Sequence, residues 1–220
     1  MRCIVTAGPT YEPIDQVRRL TNHSTGRLGT GLAKRLANEG YEVILLRGTL
    51  AIHTEQPEGV AIETFTTTDD LAGKLERLAK RQPEVGAVFH AAAVSDFAAG
   101  AVLQKNDDGE LTPLRQGKVS TREGSLLLEL RPTQKIISHL RAWFSDAQLV
   151  GWKYEVDGDR ASALGQAQRQ LTDNATDVCV INGPAYGEGF GLLKKAGEAA
   201  EHWANGEALF DALARLAKRD

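Results

Sequence analysis

Cysteine is scarce in this 220-residue chain: there are two, Cys3 and Cys179, each inside an apolar run. Neither shows a metal-type spacing, so a disulfide framework and a cysteine zinc site are both excluded. The pair reads as small buried hydrophobes in a reducing compartment. Long apolar runs are missing as well. No stretch approaches the roughly 18 residues a membrane span needs, and the opening Met-Arg-Cys-Ile-Val-Thr has no signal-type segment. A cytoplasmic protein with no membrane partner is expected. Neither sign of charge dominates: 26 basic against 29 acidic residues leave a net charge of −3. That balance lacks the basic footprint of a nucleic-acid binder. Hydrolase signatures are absent, with no G-x-S-x-G elbow and no H-E-x-x-H pair. His23, His53, His139 and His202 are scattered and read as surface or packing residues. The 22 glycines follow no short period, which excludes a collagen-like chain.

What is present is an alternation of short β-branched runs with helical patterns. Strands are predicted at Cys3–Ala7, Val43–Leu46, Val60–Thr64, Val85–Phe89, Leu126–Leu130, Leu149–Tyr154 and Val178–Ile181. Between them lie a helix from about Gly26 to Asn38 and one capped by Thr68-Asp69-Asp70, with Leu71, Leu75 and Leu78 on one face. Pro132 is expected to open a helix through Ile136, Leu140 and Trp143; later helices hold Leu164, Ala167 and Leu171, then Leu209, Leu213 and Leu216. Such β–α alternation predicts an α/β fold: a doubly wound, Rossmann-like, mostly parallel sheet with helices on both faces. The pattern dissolves from about 98 to 124, a polar stretch long enough to be a flap. Residues 1–220 read as one domain carrying that flap insertion.

Four places offer chemistry. Gly8 leaves the first strand, and Ser24-Thr25-Gly26 with Gly29 enters the first helix, a glycine- and hydroxyl-rich turn suited to phosphate. Its spacing fits neither G-x-G-x-x-G nor Walker A, and Asn22 or Ser24 could equally cap the helix while the glycines serve packing. Ala91-Ala92-Ala93 and Asp96 end the fourth strand, where ligands of open sheets sit. The alanines admit a flat ligand, and Asp96 offers a hard oxygen to Mg²⁺ or caps a turn. His90 reads as a packed strand-end residue. Lys118 lies in the irregular stretch, where a lone lysine is ordinarily a solvated charge. Gly151-Trp152-Lys153 ends another strand, with an aromatic for a base or for the core and a cation for a phosphate.

Together these residues resemble the phosphopantothenoylcysteine synthetase family, the C-terminal domain of the bacterial bifunctional coenzyme A biosynthesis flavoprotein. The segments Thr6–Arg18 and Thr21–Gly29 match its first signature, and Ala92–Phe97 its second, in a form closest to eukaryotic members. Similarity continues through Lys118, Arg131-Pro132, Gly151-Trp152 and Asp177–Asn182. The resemblance implies a ligase joining 4′-phosphopantothenate to cysteine through an acyl-nucleotide made from CTP or ATP with Mg²⁺. It implies a stand-alone synthetase without flavin, a homodimer, and a separate decarboxylase as a possible partner. Residue by residue, Gly8 to Gly29 would cradle phosphate, with Gly8, Ser24, Thr25, Gly26 and Gly29 binding nucleotide. Asn22 would contact the activated acyl group, and Ala92 and Ala93 would approach the base. Asp96 would meet nucleotide and metal, Lys118 would close the flap, and Trp152 would take the place of a base-contacting phenylalanine.

The chain also departs from the bacterial pattern. A run of flap lysines is replaced by Lys118-Val119-Ser120-Thr121. Of two lysines on the helix before Val178, Arg169 stands for the first, and Asp173-Asn174 lie near the second. Lys153 resembles the eukaryotic version and supplies a further cation. Two other readings stay open: an NAD(P)-dependent reductase, with Arg47 at the end of strand two to meet NADP, and a catalytically inactive nucleotide-binding protein.

Overall fold

A computed structural model describes residues 1–81, 84–106, 108–114, 125–194 and 197–218. The chain opens with β1 (Arg2–Ala7), a small hairpin of β2 (Tyr11–Pro13) and β3 (Arg19–Thr21), and α1 (Arg27–Asn38). Then come β4 (Glu42–Gly48), β5 (Val60–Phe65), α2 (Thr68–Arg81) and β6 (Val85–His90). An arm follows, made of β7 (Phe97–Lys105), β8 (Leu111–Leu114) and β9 (Leu126–Pro132). The alternation resumes with α3 (Ile136–Trp143), β10 (Gln148–Tyr154), α4 (Arg160–Asn174) and β11 (Val178–Asn182). Two short strands, β12 (Phe190–Leu193) and β13 (Glu201–Trp203), and α5 (Gly206–Ala217) finish it.

The main sheet has the order β13-β12-β11-β10-β6-β1-β4-β5. Its strands from β11 to β5 are parallel, and β12 and β13 extend one edge antiparallel. β1 is central, and Cys3 to Ala7 are buried on both faces, as a strand sandwiched between helix layers requires. Alternate residues feed two cores. Cys3, Val5, Val150 and Val180 pack with α1 and α5, while Ile4, Val88 and Leu149 pack with α2 and α3. Leu32 and Leu36 of α1 are fully buried, each worth on the order of 2 kcal/mol of transfer free energy.

Several expectations change. The stretch from 98 to 124 is not patternless: β7 and β8 pair antiparallel, and β9 flanks β7 on the other side. Pro113 hid β8, and is tolerated because β8 is an edge strand. A register shift between Ala99 and Val102 blurred the alternation of β7, with Ala101 N–H donating to Glu129 Oε2 at 2.9 Å across it. Residues 115–124, with Lys118, lie outside the described residues. The strand around Leu126–Leu130 belongs to this arm rather than to the main sheet. Pro132 ends β9 instead of opening a helix, and α3 starts four residues later with Lys135 as N-cap. Among the described residues no helix is long and apolar enough to cross a membrane.

Candidate functional site

The carboxyl ends of β1, β6 and β10 meet at one edge of the sheet, where parallel α/β sheets place their ligands. There the exits of β1 and β6 are stitched together. Ala93 N–H donates to Gly8 O at 3.0 Å and Thr10 N–H to Ala93 O at 3.1 Å. Ser95 N–H donates to Thr10 Oγ1 at 2.8 Å. Asn22 adds its side chain, Nδ2 donating to Val94 O at 3.0 Å and Ala93 O at 3.4 Å. Residues 71 to 85 positions apart in sequence thus share one corner, and Asn22 stays exposed on it.

Neither Asn22 nor Ser24 caps α1. The N-cap is Gly26, in the left-handed region at φ 79° with no side-chain cap, and Thr25 Oγ1 accepts Arg27 N–H at 3.2 Å. Gly8 shares the same φ, and a Cβ on it would stand 2.7 Å from Ala51 Cβ. Gly29 is required by packing: a Cβ there would lie 2.8 Å from Thr6 O and 2.6 Å from Ala7 Cβ.

A cavity of about 430 Å³ opens beside this corner, on the α3 and α4 side of the sheet. Ala92, Asp96, Trp152, Lys153 and Arg169 all line it, brought together from three separate segments. Gly8, Ser24, Thr25, Gly26, Gly29, Ala93 and Asn22 lie outside its lining, so the expected residues divide between the corner and the cavity rather than forming one pocket. Trp152 also packs, half-buried, against the core beneath α1 and α5.

Sequence reasoning missed part of the lining. Lys135, at the start of α3, adds a third cation beside Lys153 and Arg169. Lys153 lies 3.7 Å from Glu155, while Lys135 and Arg169 have no ion pair among the described residues. Gln166, Arg169, Gln170 and Asp173 line the cavity from α4 at i, i+3, i+4 and i+7, a polar stripe that helical periodicity could have revealed. His90 is buried, as expected, with Nδ1 3.0 Å from Thr6 Oγ1, and burial lowers its pKa to about 4. Arg47 is also buried, its Nη1 donating to Glu55 O at 2.6 Å.

Among the described residues no cluster of three or more His, Cys, Asp or Glu side chains is arranged for a metal. Asp96 and Asp173 are exposed carboxylates at the cavity. One or two such groups fit Mg²⁺ that arrives on substrate phosphates, since that ion keeps several waters and rarely uses an all-protein cage.

Comparison with known proteins places this geometry. Residues 1–208 match the family model described as the DNA/pantothenate metabolism flavoprotein C-terminal domain. The coenzyme A biosynthesis bifunctional protein CoaBC of Thermococcus kodakarensis is 31% identical over 182 residues, 82% of this chain and 41% of that protein. CoaBC of Bacillus subtilis is 31% identical over 189 residues, 86% of this chain and 42% of its own length. The chain therefore spans about two fifths of these relatives. The crystal structure of the DNA/pantothenate metabolism flavoprotein from Streptococcus pneumoniae superposes with a TM-score of 0.82 at 27% identity, covering 98% of this chain and 97% of that one.

Proposed function

The chain belongs to the DNA/pantothenate metabolism flavoprotein C-terminal domain family, and from that membership we propose that it is a phosphopantothenate–cysteine ligase of coenzyme A biosynthesis. It uses a nucleoside triphosphate, CTP or ATP, to activate the acid. The 4′-phosphopantothenate carboxylate attacks the α-phosphorus and pyrophosphate leaves, giving an acyl-nucleotide. The amine of cysteine attacks the acyl carbon, releasing nucleoside monophosphate and the amide. The protein's share of such chemistry is positioning and charge stabilisation.

The supporting observation is the corner itself: Asn22 tied to Ala93 and Val94 beside a cavity lined by Asp96, Lys135, Lys153 and Arg169. Ala92 flanks the base, while the Trp152 indole is held on the opposite, α1 and α5, face of the sheet, and the cations meet the phosphates. Mg²⁺ bound to the phosphates would neutralise their charge, with Asp96 as a protein carboxylate at the cavity. Gly8, Ser24, Thr25, Gly26 and Gly29 shape the backbone on the far side of the corner, where the acid's phosphate or the triphosphate tail approaches. Asn22 holds the activated acyl group, and Lys118 covers the nucleotide. The enzyme works in the cytoplasm as a homodimer whose contact includes the arm; Phe97, Leu111, Leu126, Leu127 and Leu130 there are all exposed.

Incubation with phosphopantothenate, cysteine, Mg²⁺ and either CTP or ATP tests the proposal by pyrophosphate release. Release that depends on phosphopantothenate is the expected result. No release with any triphosphate contradicts it and favours a nucleotide-binding protein without catalysis.

A further inference from the structure

Two buried polar groups in the cavity are left over by the activity described above. The first is His90. The hydroxyl oxygen of Thr6 accepts the Ala92 N–H at 3.0 Å and lies 3.0 Å from His90 Nδ1. A peptide N–H only donates, so it occupies a lone pair of Thr6 and leaves the hydroxyl proton free for Nδ1. The ring is neutral, because its burial holds the pKa near 4. A neutral imidazole that accepts at Nδ1 keeps its own proton on Nε2. Among the described residues nothing accepts from Nε2, and His90 lines the cavity.

The second is Ser95, only 4% exposed and also part of the lining. Its backbone is fully engaged, the N–H with Thr10 Oγ1 at 2.8 Å and the C=O with Thr133 Oγ1 at 2.5 Å. Its hydroxyl is buried with no partner among the described residues. A hydroxyl left in that state costs on the order of 1–3 kcal/mol. At a cavity wall such a cost is offset when a ligand supplies the missing bond.

We propose that His90 and Ser95 select the base of the nucleotide bound in this cavity. The inference rests on reading the cavity as a nucleotide site. Ala92, Ile136 and Ile137 supply small and apolar walls for a flat ring, and the cations at the mouth are left for phosphates. The Nε2 proton is a fixed donor, so the ring nitrogen facing it must be an acceptor. The Ser95 hydroxyl rotates and accepts from the neighbouring amino group. Cytosine, with N3 beside its 4-amino group, and adenine, with N1 beside its 6-amino group, both satisfy the pair. Uracil and guanine present N–H at the corresponding position and oppose one donor with another. A site built to bond a given group rejects the analogue that cannot.

Calorimetric titration with the Mg²⁺ salts of CTP, ATP, UTP and GTP tests this on the wild-type chain and on His90→Leu, His90→Gln and Ser95→Ala. CTP or ATP should bind at least tenfold more tightly than UTP and GTP. His90→Leu should lose at least tenfold for the preferred nucleotide and flatten the ranking. His90→Gln, whose amide offers a donor again, should return to within a few-fold of wild type, which a purely structural role would not produce. Ser95→Ala removes an unbonded hydroxyl, so it should fold normally and still weaken binding at least fivefold; it decides the matter if His90→Leu does not fold. A folded His90→Leu with wild-type affinities and ranking, or an unchanged Ser95→Ala, overturns the inference while leaving the nucleotide site standing. Failure of the wild-type chain to bind any triphosphate overturns both.

Discussion

Asn22 is held at one end and open at the other: its amide nitrogen reaches two carbonyls after β6 while the side chain stays exposed. Truncation removes little from the fold and much from the corner. Asn22→Ala should keep nucleotide affinity within about threefold while cutting amide formation more than tenfold, a loss above ~1.4 kcal/mol of barrier. Binding and quenched-flow assays on the same sample check both halves. Lys118→Ala, outside the described residues, should likewise lower turnover by more than tenfold, and steady-state kinetics with saturating substrates test it. His90 makes a prediction about pH. Its folded pKa, about 4, lies below the usual 6.5, so the unfolded chain binds the extra proton first. The stability this group contributes is complete above pH 6.5 and is lost as pH falls from there towards 4, roughly 3 kcal/mol in all. Denaturant titrations from pH 7 to 4 should show that slope, reduced in His90→Gln. Residues in contiguous motifs, such as Asn22 and Asp96, were legible in the sequence because neighbours identify them. Lys135 was not, because only the turn from β9 into α3 brings it to the cavity.

Helices and central strands were readable because burial imposes a period on them. Leu32 and Leu36 mark α1, and the continuous run in β1 marks a strand buried on both faces. The arm was unreadable for the complementary reason: its strands bury neither face fully, so Leu126, Leu127 and Leu130 stay exposed and no alternation is enforced. Corner and cavity were legible in their composition but not in their division, which follows from α1 lying on one face of the sheet and the cavity-lining α3 on the other. Two glycines inside helices separate packing from propensity. A Cβ on Gly29 would press on Thr6 O at 2.8 Å, whereas one on Gly165 of α4 would meet nothing within 4 Å. Gly29→Ala should therefore destabilise by about 1–3 kcal/mol through overpacking. Gly165→Ala should stabilise by about 0.5–1 kcal/mol. Thermal unfolding of the two variants should move in opposite directions.

At the scale of the whole molecule, one sheet edge collects the chemistry and one arm collects exposed apolar surface. Leu126 and Leu130 lie on the same face of β9, since residues an even number apart do so in a strand. Leu126→Glu with Leu130→Glu should turn the proposed homodimer into a monomer in sedimentation experiments, without unfolding the main sheet. The central claim, that the acid is activated on the α-phosphorus of a nucleotide, has a direct isotopic test. Phosphopantothenate labelled with ¹⁸O in its carboxylate is carried through one turnover with cysteine and the triphosphate, and the products are weighed by mass spectrometry. One labelled oxygen should appear in the nucleoside monophosphate and none in pyrophosphate. Label found in inorganic phosphate, or a monophosphate formed without label, would contradict the acyl-nucleotide route.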